Sequence, residues 1–154
     1  MENLEKLKAW VDKTIPQRQE RLTNYVNLVH ERVGEFIIDF QDMDSREATN
    51  SYINFANDFS NLNKDQNELF TLVKLRDMIN DTGNSEELLK ELIRQRKLHF
   101  EVANRSFTLS NFDNAATDIY NADFGVELRM MNYHVAHIKT LTRAIYILEG
   151  KTEE

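Results

Sequence analysis

Residues 22–43, LTNYVNLVHERVGEFIIDFQDM, decide the fold. Leu22, Val26, Val29, Val33, Phe36, Phe40 and Met43 follow one another in alternating steps of four and three. Only a helix gathers all of them on one face; a strand would scatter them over both. A stripe of that length needs other helices packed against it. Upstream, Ile15 lies one heptad before Leu22, Thr14 and Gln17 have capping-box spacing, and Pro16 would fall in a first turn, where its missing N–H costs little. The spacing therefore predicts a long helix over about residues 15–43. A short separate helix over about residues 3–13, carrying Leu4, Leu7 and Val11, precedes it.

The rhythm continues downstream. Asp44 with Glu47 has cap spacing, and Ala48, Tyr52, Phe55, Phe59 and Leu62 follow at helical steps. A second helix is expected over about residues 46–80, with a bend admitted near residue 63, since Asp65 and Glu68 again have cap spacing. Gly83 suits a left-handed C-cap, and Asn84 with Glu87 suits the next N-cap. A third helix over about residues 85–109 carries Leu89, Ile93, Phe100, Ala103 and Phe107 on one face. A fourth over about residues 112–149 carries Phe124, Met131, Ile138 and Ile145, with Gly150 as its C-cap. Short connections make sequential helices antiparallel neighbours. The expected class is all-α: a single domain, an antiparallel up-down four-helix bundle with a short extra N-terminal helix. The same helices exchanged into a dimer are the alternative.

From His99 to Ala122 the chain resembles a single tetratricopeptide repeat, with Val102, Ala103, Ala115, Ile119 and Ala122 at its apolar and small positions. His99, Ser106 and Glu127 miss its aromatic and proline positions, and no neighbouring copy follows the pattern. Because such repeats need neighbours to bury their faces, a tightly packed helical hairpin is the reading adopted.

Composition narrows the function. The chain has 154 residues, a net charge of −7, four Gly, one Pro and no Cys. Without Cys there is no disulfide framework, zinc ribbon, iron–sulfur centre or thiol nucleophile. The negative charge disfavours nonspecific nucleic-acid binding, which Lys and Arg drive. No apolar run approaches the ~18 residues of a membrane span. The acidic start Met1-Glu-Asn-Leu-Glu lacks the basic and apolar regions of a signal peptide, so a cytoplasmic location is expected. No phosphate-binding loop, dinucleotide fingerprint or serine-nucleophile elbow occurs, and no cofactor is implied.

Three polar residues interrupt the apolar faces. Arg96 lies between Ile93 and Phe100, Glu127 between Phe124 and Met131, and His134 one heptad after Glu127. If the third and fourth helices fold about a turn near Asn111, Arg96 and Glu127 face each other, which predicts an ion pair at the core. His134 and His137 have metal-ligand spacing, but neither Glu-x-x-His nor His-Glu-x-x-His occurs, so no metal site is assigned. Asn50, Asn54, Asn57 and Asn61 form an uncharged polar strip. The expectation is a small intracellular protein–protein interaction module (adaptor, chaperone, immunity or inhibitor protein, or assembly factor). It would be monomeric or homodimeric, not an enzyme, and would use Trp10, Tyr25 and Tyr120 against its partner. The alternative is a ligand sensor or enzyme with a polar site around Arg96, Glu127 and His134.

Overall fold

The computed structural model describes residues 2–41, 45–109 and 123–151. Among these residues every regular element is a helix: α1 Glu2–Gln41, α2 Ser45–Thr82, α3 Ser85–Leu109 and α4 Asp123–Leu148. α1 and α2 have 40 and 38 residues, so each is about 60 Å long at ~1.5 Å per residue. α2 packs along α1 and also directly on α4; α3 packs on α4; α1 with α4 and α2 with α3 meet more sparsely.

One helix junction read from the sequence is absent. α1 is continuous where a short helix and a long one were expected, and Pro16 sits inside it. Thr14 does not cap: its hydroxyl donates to the Trp10 carbonyl, 2.6 Å away and one turn back. α2 likewise runs through residue 63 without interruption. Asp65 and Glu68 are buried inside it rather than capping a new helix. At the true ends the signals act as their chemistry requires. Asn84 Oδ1 accepts the Glu86 N–H at 2.9 Å, which caps α3. Gly83 and Gly150 adopt φ values of 58° and 70°, which a side chain would resist. The Lys151 N–H then closes α4 on the Tyr146 carbonyl at 2.9 Å.

The core is concentrated in one half of the long helices. Leu7, Val11 and Ile15 of α1 meet Leu72, Leu75 and Ile79 of α2, Leu88 and Leu92 of α3, and Leu141, Ala144, Ile145 and Leu148 of α4. Followed toward the N-terminus of α2, the face of Ile79, Leu75 and Leu72 continues at helical spacing through Glu68, Asp65, Asn61, Asn57 and Asn54. One face thus passes from apolar to ionic to amide, and the apolar core ends where the charges begin. The change is sealed by Arg18. Its guanidinium lies 2.7 Å from Glu68 Oε2 and 3.3 Å from Asp65 Oδ1, with Arg21 Nε 3.0 Å from Asp65 Oδ2.

Beyond this ionic layer α1 and α2 meet through polar and aromatic pairs. Arg32 lies 3.5 Å from Asp58, the Phe36 and Tyr52 rings are 5.9 Å apart, and the Ser51 hydroxyl donates to Asp39. Val26, Val33, Ile37, Ile38, Tyr52, Ile53 and Phe59 are all exposed there.

α3 buries a different face from the one its apolar stripe suggested. Leu88 and Leu92 are buried, while Ile93 and Phe100 are exposed, Phe100 by 56%. The residues that continue the buried face at steps of three and four are Gln95 and His99.

Candidate functional site

The turn of α3 that carries Gln95 and His99 faces Tyr133, His134 and His137 of α4, and the result is a histidine cluster inside the bundle. His99 Nδ1 and His134 Nδ1 are 2.8 Å apart, so one of the two carries the shared proton. The His99 and His137 rings stack at 8° with centroids 4.3 Å apart, and Tyr133 lies 4.3 Å from His137 on another side. Phe70 of α2 meets His137 edge-on at 6.2 Å.

The protonation state of His137 follows from its neighbours. Thr71 Oγ1 lies 3.0 Å from His137 Nδ1 and 2.8 Å from the Asn67 carbonyl. A hydroxyl has one proton, and the carbonyl can only accept it. Thr71 therefore accepts from His137, whose Nδ1 carries the hydrogen. The Nε2 of His137 is left as a bare lone pair. It is buried, as is the Nε2 of His134, and neither has a hydrogen-bond partner among the described residues. A buried polar atom without a partner costs about 1–3 kcal/mol.

Burial pushes all three histidines toward the neutral form. His137 is driven down to about 4, first by desolvation and then by repulsion from His99, Lys74 and His134. His99 is lowered by desolvation, then by His134 and Lys74, and His134 by desolvation. A cavity of about 50 Å³ adjoins the cluster, walled by Thr71, Lys74, Gln95, His99, Tyr133 and His137 together with Leu75, Met78 and Leu141. The Lys74 ammonium lies 4.4 Å over the Phe70 ring at its edge. No group of three or more His, Cys, Asp or Glu able to hold a metal ion occurs among the described residues.

The residues singled out from sequence do not all meet. His134 belongs to the cluster. Arg96 instead lines an outer groove with Ile93, Lys97, Phe100, Ile138 and Thr142. The side chain of Glu127 lies outside the described residues, so the expected Arg96–Glu127 pair does too, as does Tyr120. Trp10 is half-buried against the core with Arg143 5.4 Å from its ring, and Tyr25 is half-buried with Arg21 6.0 Å away. Trp10 also borders a groove of about 290 Å³ between α1 and α4, whose wall includes Arg18, Glu68, Lys139 and Tyr146. The sequence does not point to His99 as the partner of His134 or to Thr71 as the partner of His137. His99 sits among Arg94, Arg96 and Lys97 and reads as part of a basic surface, although its spacing from Leu88 and Leu92 marks the interior.

No protein family, curated protein or solved structure matches the chain. No helix among the described residues is long and apolar enough to cross a membrane.

Proposed function

We propose that this protein is a small interaction module that presents the far half of α1 and α2 to a protein partner. The observation that carries the reading is the run of exposed apolar side chains there: Val26, Val33, Ile37 and Ile38 on α1, and Tyr52, Ile53 and Phe59 on α2. Contiguous exposed apolar surface beyond a few hundred Å² is uncommon on a monomer without a partner. The strip of Asn50, Asn54, Asn57 and Asn61, exposed on the same half, offers a partner hydrogen bonds without the cost of burying charge. The architecture we assign is an antiparallel up-down four-helix bundle. The order of paired residues supports it: Arg18 with Glu68, Arg32 with Asp58 and Asp39 with Ser51 on α1 and α2, and Asn3 with Leu148 on α1 and α4. A cytoplasmic role as adaptor, chaperone, inhibitor or assembly factor, in monomer or homodimer, fits this reading.

The test compares wild type with the double variant Ile38→Asp, Ile53→Asp, since these side chains are 58% and 49% exposed. Proteins captured by the wild type from its source cells should be lost by the variant, while both melt alike. Light scattering of the same pair distinguishes a second copy of this chain from a foreign partner. Identical capture and identical mass for both forms would overturn the reading.

A further inference from the structure

We propose that the groove between α1 and α4 is a binding site for a small aromatic carboxylate with a single ring. The inference is independent of the interaction surface on the far half of α1 and α2. It rests on how the groove sorts its side chains along its length.

Two helical stripes make the walls. Trp10, Thr14 and Arg18 follow at steps of four on α1, and Lys139, Arg143 and Tyr146 at steps of four and three on α4, so each set shares a face. Leu72 and Thr140, both buried, form the floor. Contacts across the groove fix which ends meet. Arg143 lies 5.4 Å from the Trp10 ring, whereas Arg18 and Lys139 both approach Glu68, at 2.7 and 3.9 Å. Tyr146 follows Arg143 by one turn, away from Lys139. One end is therefore aromatic, with Trp10 and Tyr146, and the other is ionic, with Arg18, Lys139 and Glu68. Trp10 and Arg18 are about 12 Å apart along α1 at ~1.5 Å per residue.

The ionic end favours an anion. Glu68 is buried and is already met by Arg18 at 2.7 Å, so its charge is spent inside the protein. Arg18, Arg21 and Lys139 gather around Asp65 and Glu68, and Lys139 is the most loosely held of the three cations. Its ammonium lies 3.9 Å from Glu68 Oε1, beyond hydrogen-bond reach, and its side chain is 67% exposed. Lys139 can turn to a carboxylate in the groove without breaking a close buried pair. At the other end Trp10 and Tyr146 offer flat apolar surface to a ligand ring. The groove holds about 290 Å³. That is the small end of the range for ligand sites, about 300–1,000 Å³, which suits one ring with a short acidic arm.

Trp10 is the only tryptophan in the chain, so its fluorescence reports on the groove itself. Excited at the red edge of its absorption, it should change saturably as sodium phenylpropionate is added at fixed ionic strength, with a dissociation constant of about 1 mM or tighter. Phenylpropanol keeps the ring without charge, propionate keeps the charge without the ring, and phenylpropylamine reverses the charge. Each should bind at least about tenfold more weakly. Lys139→Gln, at an exposed side chain, should leave the melting temperature unchanged and weaken phenylpropionate at least about fivefold, with phenylpropanol unaffected. Lys139→Arg should restore most of the loss. No saturable change with phenylpropionate, equal affinity for phenylpropanol, or tighter binding of phenylpropylamine would overturn the proposal. So would full phenylpropionate affinity in the folded Lys139→Gln variant.

Discussion

Arg18 Nη2 lies 2.7 Å from Glu68 Oε2, joining residues fifty positions apart at the place where the apolar core ends. The carboxylates of Glu68 and Asp65 are almost completely buried, whereas Arg18 retains some exposure. Removing the cation takes the nearest partner from Glu68, which keeps only Lys139 at 3.9 Å, and one of two from Asp65, which keeps Arg21; breaking a buried pair costs up to about 3–5 kcal/mol. Arg18→Met should therefore lower the urea-unfolding free energy by about that amount. Replacing Arg18, Asp65 and Glu68 together by Met, Leu and Leu should recover most of it, because the desolvation cost leaves with the charges. A triple variant no more stable than Arg18→Met would show that the ionic layer contributes net stability.

Pro16 gives a second prediction. It cannot donate to the Asp12 carbonyl, yet α1 runs unbroken from Glu2 to Gln41. A proline inside a helix is less favourable than alanine by about 3 kcal/mol, offset by about 0.4–1 kcal/mol because proline also restricts the unfolded chain. Pro16→Ala, at an exposed position, should raise stability by roughly 1–2.5 kcal/mol, read from the denaturant midpoint at unchanged slope.

The same residue shows why the helix class was legible in the sequence and the junctions were not. Thr14 with Gln17, and Asp65 with Glu68, have the spacing of a capping box, but three residues apart is also the spacing of neighbours on one helix face. Local sequence does not distinguish the two. The partner does: for Asp65 and Glu68 it is Arg18, fifty positions away for Glu68 and far outside any local window. α3 shows a related ambiguity. Leu89, Ile93 and Phe100 form one regular stripe, and Leu88, Leu92, Gln95 and His99 form another, one residue earlier. Hydrophobicity favours the first, and packing buries the second because His99 finds partners in His134 and His137. A buried polar residue is invisible to periodicity until its partners are known, so the histidine cluster could be glimpsed only through His134 and His137.

Acid should destabilise the bundle in a defined window. A histidine whose folded value lies below its ordinary 6.5 binds a proton more readily in the unfolded chain. Its contribution is complete above pH 6.5 and is lost as pH falls toward the folded value, about 4 for His137. A displacement of that size corresponds to about 2–4 kcal/mol for His137, with His99 and His134 adding in the same direction. Unfolding free energy should therefore fall steadily between pH 6.5 and about 4, and His137→Asn should flatten that fall. The carboxylate of Glu91, held down to about 2 by hydrogen bonds from Arg94 and Gln95, loses its contribution only below its ordinary 4.5, so it does not obscure the upper part of the window. A flat profile from pH 7 to 5, or one unchanged in the variant, would contradict the burial assigned to the cluster.

The contrast between the two halves of the long helices sets the last expectation. Leu92 is wholly buried where α3 meets the rest of the core, and truncating a buried leucine leaves a cavity as well as losing transfer energy. Leu92→Ala should cost about 2–5 kcal/mol. Ile38 and Ile53 are as apolar but lie in solvent, so Ile38→Asp and Ile53→Asp should each change stability by no more than about 0.5 kcal/mol. If these two changes proved as costly as Leu92→Ala in dilute solution, the far half of α1 and α2 would already be covered, and the exposed apolar run would no longer indicate a partner yet to bind. If they are silent in isolation but abolish capture of a partner, the exposed isoleucines beside the apolar stripes are being kept for binding, because folding alone does not require them.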